Sequence, residues 1–324
     1  MKRSRQGKIF SMVLLAWLTQ SCTAVDHQDF FSQYEEDYKQ RVDYVEHDVP
    51  RDGLSIRARE YGTDKPGPTL ILMHGFPDSM HIYDWLVPLL ANDRHIITFD
   101  FIGWGDSDKP ADHRYDVASL RQDLEAVIEY FHPGELVLVM HDASGQPGID
   151  WALMHPEQVA GLVLLNTYYT AAPTLRPPEA IDLFSTPGIR RDISVWATTH
   201  WDYLWQKRYN EQMTRFFNDS ERLETFQKVI GYQSLQIRPA FFGLNRVLRD
   251  EVAKRQARLP DLKAFQPPVR IVFGRDDPYL NAGVAEDFHR LFPHAELYLV
   301  PEARHFVQID QPERVAAILR SFPE

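Results

Sequence analysis

The 324-residue chain is long enough for one large α/β domain with an insertion, or for two small domains. Its 44% hydrophobic content, with 12% aromatic, calls for a packed core and excludes a disordered chain. A formal net charge of -11 leaves no basic surplus to neutralise phosphates, which disfavours nucleic acid as a partner.

The first residues stand apart from the rest. Met1 to Lys8 is basic, Ile9 to Leu18 is almost wholly apolar, and Thr19 to Ala24 is small and polar. That order predicts a secretory signal over 1–24 and an exported, envelope or periplasmic protein. The apolar run is too short for a comfortable permanent span. Cys22 is the only cysteine, so no intramolecular disulfide can form. Its place resembles that of the lipid-attachment cysteine of bacterial lipoproteins, which would add membrane attachment through a lipid, although Thr19 and Gln20 depart from that motif.

Residues 25–44 are polar and charged and read as a lead-in segment of little chemical content. Val45–Val49 and Leu54–Tyr61 alternate as half-exposed antiparallel strands do. Thr69–Met73 is continuously apolar apart from its first residue, the pattern of a strand buried on both faces, and it ends in His74-Gly75-Phe76-Pro77. A helical stretch is expected around Trp85–Leu90. A second buried strand follows at His95–Asp100 and runs into Gly103-Trp104-Gly105-Asp106. Leu120–Phe131 has helical spacing, and further strands are expected at Leu136–Met140, Val159–Asn166, Val269–Phe273 and Leu297–Val300. This alternation implies a mostly parallel sheet with helices on both faces. Residues 168–262 interrupt it. They hold no convincing buried strand, are rich in aromatics and have proline-bearing edges, so they read as a helical cap between the two parts of the core, 45–167 and 263–324.

The chemistry centres on Val139-Met140-His141-Asp142-Ala143-Ser144-Gly145. An apolar strand ends in a polar tip, then small residues, then helical spacing, which is the layout of a nucleophile elbow. With Asp142 at the apex, the reaction is displacement at a saturated carbon. Carboxylate attack there gives an ordinary ester that water can cleave, whereas attack on an ester carbonyl gives only an anhydride. The competing readings are a helix-capping Asp142 and a Ser144 nucleophile. Ser144 would place the large Asp142 and Gln146 at positions that a tight turn keeps small. Past two later strands stand Asp277 and His305, in the order nucleophile, acid, base. His305 would deprotonate water and Asp277 would orient it, with Asp276 the rival acid. Backbone N–H groups of Ala143 and Phe76 are the candidate oxyanion donors, since Pro77 has none.

These motifs, with Phe101-Ile102-Gly103-Trp104-Gly105-Asp106-Ser107-Asp108-Lys109-Pro110 and His305-Phe306-Val307-Gln308, resemble the α/β-hydrolase superfamily, in its haloalkane dehalogenase and epoxide hydrolase branch. The resemblance implies an α/β-hydrolase fold with a mostly parallel central sheet and a helical cap. It further implies an aspartyl-ester hydrolase that takes a small-molecule substrate and needs neither metal nor organic cofactor. Dehalogenases of this kind hold the halide with a tryptophan after the nucleophile and with an asparagine in the first loop or a tryptophan in the cap; here Ala143 and Phe76 occupy the first two places. Trp104, Trp201 and Trp205 are candidate substrate-binding residues, and Trp196 is a further cap tryptophan. Epoxide hydrolases use two cap tyrosines, for which Tyr168, Tyr169, Tyr203, Tyr209 and Tyr232 are all available. The expectation is a haloalkane dehalogenase-like hydrolase. The alternatives are an epoxide hydrolase, a Ser144 esterase, or a binding protein that kept the fold and lost turnover. Oligomeric state has no signature in the sequence.

Overall fold

The computed structural model describes residues 28–323 apart from the side chain of Tyr232, so the expected signal segment and Cys22 lie outside it. Its strands are β1 (Val45–Arg51), β2 (Leu54–Tyr61), β3 (Thr69–Met73), β4 (Ile96–Phe99), β5 (Leu136–Asp142), β6 (Val159–Thr167), β7 (Val269–Gly274) and β8 (Ala295–Val300). They form one sheet in the order β1-β2-β4-β3-β5-β6-β7-β8. β1 and β2 pair antiparallel, as does β2 with β4, and every pairing from β4 through to β8 is parallel. The apolar runs explain the centre of this sheet. All residues of β3, β4 and β7 are buried, while β1 at the edge alternates with solvent.

Helix α1 covers residues 28–41. Helix α2 (Val117–Phe131) starts where the Asp116 side chain accepts the Ser119 amide at 2.9 Å, and α3 (Gly145–Met154) follows the elbow. Between β6 and β7 lie α4 (Glu179–Ser185), α5 (Ile189–His200), α6 (Asp202–Met213), α7 (Ser220–Gln233), α8 (Arg238–Arg255) and α9 (Leu259–Ala264). The cap is therefore helical, as expected. The helix expected at Trp85–Leu90 is not formed. Two 3-10 turns, Met80–Tyr83 and Val87–Leu89, take its place, because Pro88 has no amide to continue an α-helical ladder from the residues before it.

The lead-in segment also differs from expectation. Its Glu35 forms an ion pair with Arg59, which is 1% exposed, and Tyr38 Oη lies 3.2 Å from Tyr61 Oη. Tyr34 Oη donates to Asp84, whose other contact is His81 Nδ1 at 2.8 Å. Helix α1 is thus anchored to the core by a buried polar network whose partners are far away in sequence.

The topology positions the site. β3 has β4 on one side and β5 on the other, so the chain reverses its direction of progress across the sheet at β3. In open α/β sheets the crevice at the carboxyl ends of the strands beside such a switch point is where ligands bind. His74, Asp142, Asn166, Asp277 and His305 all sit at or just past such ends.

Candidate active site

Asp142 is the last residue of β5 and has φ +50°, a left-handed conformation that a non-glycine residue adopts only when its surroundings enforce it. The enforcement is visible in the packing. A Cβ on Gly75 would lie 2.5 Å from that of Asp142, and a Cβ on Gly148 would lie 2.4 Å from Met140 Sδ. The glycine of the first loop gives the elbow its room. Gly148 of α3 admits the large Met140 at a position where a smaller residue is usual.

The carboxyl group of Asp142 faces the cavity and is held from behind. The Phe76 amide donates to Oδ2 at 3.2 Å, and the Ala143 amide also donates to this carboxyl group. Burial raises its pKa, an effect that nearby His305 and the two amides oppose. Ser144 is turned away. It is 1% exposed, and its Oγ lies 3.0 Å from the carbonyl of Met73 and accepts the His141 amide at 2.9 Å. This hydroxyl ties the turn to β3 and does not reach the cavity.

Asp277 lies in the loop after β7 and is 3% exposed. Its Oδ2 is 3.0 Å from His305 Nδ1, and its Oδ1 accepts the amides of Tyr279 at 2.8 Å and Leu280 at 3.2 Å. The rival Asp276 is bound to exposed Arg275 on the surface. Burial works against the His305 imidazolium. The hydrogen bond and charge of Asp277, with Asp142 and Asp78, outweigh it and raise the His305 pKa. His305 Nε2 stands 4.0 Å from Asp142 Oδ1, beyond hydrogen-bond reach, so the imidazole faces the carboxyl group without being bonded to it.

Two contributors to the site, Asn166 and Asp78, escaped the sequence reading. Asn166, near the end of β6, donates to Asp277 Oδ2 at 2.8 Å and accepts the Gly274 amide at 2.7 Å, which fixes the acid against its strand. A polar residue closing an otherwise apolar strand was the available signal. His141 reaches the carbonyl of His305 at 3.1 Å and so joins the elbow to the histidine loop. Asp78, next to Pro77, lines the cavity beside Asp142 and His305.

The cavity has a volume of about 430 Å³, and its wall is largely apolar, with Phe76, Leu175, Phe184, Phe216 and Phe241 among the lining residues. Of the three candidate tryptophans, Trp205, on α6, lines it, and its Nε1 has no partner among the described residues. The other two tryptophans are corrected. Trp104 is 1% exposed and packs behind Phe76, ring centroids 5.9 Å apart, outside the cavity wall. Trp201 is 51% exposed and stacks edge-on against Trp196 on the outer surface, since its position just before α6 points it away from the core. Of the tyrosines, Tyr168 and Tyr209 line the cavity and Tyr209 Oη has no partner among the described residues. Tyr169 is bonded to Asp150, and Tyr203 is 69% exposed.

The model of the alpha/beta hydrolase fold family matches residues 68–312. A cis-3-alkyl-4-alkyloxetan-2-one decarboxylase of Shewanella oneidensis is 26% identical over 297 residues, 86% of this chain and 88% of the relative. A fluoroacetate dehalogenase of a Burkholderia species is 33% identical over 144 residues, 43% of each chain. The solved haloalkane dehalogenase DatA of Agrobacterium tumefaciens superposes with a TM-score of 0.70 at 21% identity, over 86% of this chain and 96% of its own, a likeness of fold. With a parallel sheet, an elbow and a family match spanning most of its length, the chain belongs to the α/β-hydrolase family.

Proposed function

We propose that this protein is a hydrolase that displaces a leaving group from a saturated, electrophilic carbon through an ester on Asp142, in the manner of haloalkane dehalogenases. The observation that carries the reading is the division of labour at the elbow. Asp142 presents a carboxylate to the cavity at a strained apex, while Ser144 spends its hydroxyl on the backbone. A carboxylate needs no base to become a nucleophile, which agrees with a His305 that is not bonded to it.

In the first step an Asp142 oxygen bonds to carbon, and the leaving group departs with the electron pair. In the second, His305 Nε2 takes a proton from water, and the hydroxide adds to the ester carbonyl. The resulting oxyanion is the carboxyl oxygen that the Phe76 and Ala143 amides already address. Collapse expels the alcohol oxygen, which takes the proton from His305; the second proton of water leaves the carboxyl group for solvent and the carboxylate is restored. The Trp205 indole N–H and the Tyr209 hydroxyl are donors available to a departing halide. A second reading, opening of a strained cyclic ether, is favoured by Tyr168 and Tyr209 together in the wall, because an alkoxide needs O–H donors. The named activities of the relatives, on fluoroacetate and on an oxetanone ring, involve carbon bonded to halogen or ring oxygen.

The test uses His305→Gln, in which the ester should persist. The variant is incubated with haloalkanes, epoxides and p-nitrophenyl esters, and any adduct is mapped by mass spectrometry. An adduct on Asp142 is expected. An adduct on Ser144, or none with any substrate, would sink the reading.

A further inference from the structure

We propose that Asp78 is a second catalytic carboxyl group of this site, the proton donor to an oxygen leaving group. The inference rests on the aspartyl-ester reading and assigns it a substrate class, strained cyclic ethers. Asp78 lines the cavity with Asp142 and His305, yet it is only 2% exposed and its Oδ1 has no hydrogen-bond partner among the described residues. Its Oδ2 lies 3.9 Å from His141 Nδ1, itself without a partner, because His141 uses Nε2 toward the His305 carbonyl. An ionised carboxylate left in this state would be costly.

The two carboxyl groups of the cavity differ in the bonds offered to them. Asp142 receives amide hydrogens from Phe76 and Ala143, which favour its charged form. Asp78 receives none, so the proton shared by such a pair resides on Asp78. Around it stand Asp142 and His141 from β5, His305 from the loop after β8, Tyr83 from the first 3-10 turn and Tyr209 from α6. Burial first, and then the charge of Asp142, push its pKa up to about 8, against an opposing pull from His305.

The step balances. An Asp142 oxygen bonds to a ring carbon, the carbon–oxygen bond breaks, and its electron pair goes to the ring oxygen, which takes the Asp78 proton. Hydrolysis of the ester then consumes one water. One of its protons leaves on the alcohol oxygen by way of His305, and the other returns to Asp78. A halide leaving group would need no such proton.

That difference supplies the test. In the His305→Gln background, the rate of adduct formation on Asp142 is measured with an alkyl epoxide and with a bromoalkane of equal chain length, with and without Asp78→Asn. The expected result is a loss with the epoxide at least about 100-fold greater than with the bromoalkane, the low end of the range general acids supply. With Asp78 intact, the epoxide rate should also fall as pH rises beyond about 8, since His305→Gln removes the pull that lowers the Asp78 pKa, while the bromoalkane rate does not, a readout that holds even where Asp78→Asn fails to fold. Equal losses with both substrates, a pH-independent epoxide rate, or an adduct from the bromoalkane alone would overturn the role of Asp78 and leave the aspartyl ester standing. No adduct from either would overturn both.

Discussion

The two sides of the cavity are built on opposite rules. On the sheet side, Asp277 receives hydrogen bonds from Asn166, Tyr279 and Leu280 while binding His305, and the Asp142 carboxyl group rests on the Phe76 amide. On the cap side, Trp205 Nε1 and Tyr209 Oη are buried with no partner among the described residues, a state shared by Asp78 Oδ1 in the first loop. A buried polar atom without a partner costs roughly 1–3 kcal/mol, so such atoms are retained where a ligand supplies the missing bond. On the proposed mechanism, groups that act on every substrate are locked in place, and groups that would recognise a particular leaving group are left open.

Substitutions can break this contrast. The largest effect is expected from Asp142→Asn, a loss of turnover of about 10⁴-fold or more, while Ser144→Ala keeps most activity; single-turnover kinetics on both variants decides between the two side chains. Next comes Asn166→Ala, which frees Asp277 on one side and should lower kcat about 10- to 100-fold with little change in KM, since it acts through the orientation of His305. On the open side, Tyr209→Phe and Trp205→Phe should each cost about 10-fold, with a loss that depends on the leaving group, because each removes one donor of several. Trp201→Ala and Trp196→Ala, both more than half exposed, should leave kcat/KM within about twofold, as surface changes do. If the cap variants lost activity equally with every leaving group, the distinction between locked and open sides would fail.

A last substitution separates stability from catalysis. Glu35→Ala leaves Arg59 buried without its nearest carboxylate and should destabilise the fold by about 3 kcal/mol in denaturant unfolding, with kcat unmoved.

Much of this was legible in the chain, and for definite reasons. Buried parallel strands are continuous apolar runs, so Thr69–Met73 and Val269–Phe273 could be placed by eye. Functional residues follow strand ends, so the loops after Val269–Phe273 and Leu297–Val300 marked Asp277 and His305, which the structure brings to 3.0 Å. The cap was harder. Its helices present aromatics on both faces, and periodicity alone does not say which face meets the core. Trp201 and Trp205 are four residues apart, yet one is exposed and the other buried. The 25–44 segment misled for a related reason: a helix with few apolar residues reads as solvent-exposed unless its partners, here Arg59, Tyr61 and Asp84, are known.

By itself the sequence determined the sheet, the order of Asp142, Asp277 and His305 past successive strands, and the type of residue at the elbow, because these depend on local pattern and on position along the chain. Tertiary structure alone decided which of the aromatics enter the cavity, that Ser144 is spent on the backbone, and that Asp78 stands unpartnered beside Asp142. Each of these depends on which distant atoms share one desolvated space, and no spacing along the chain encodes that.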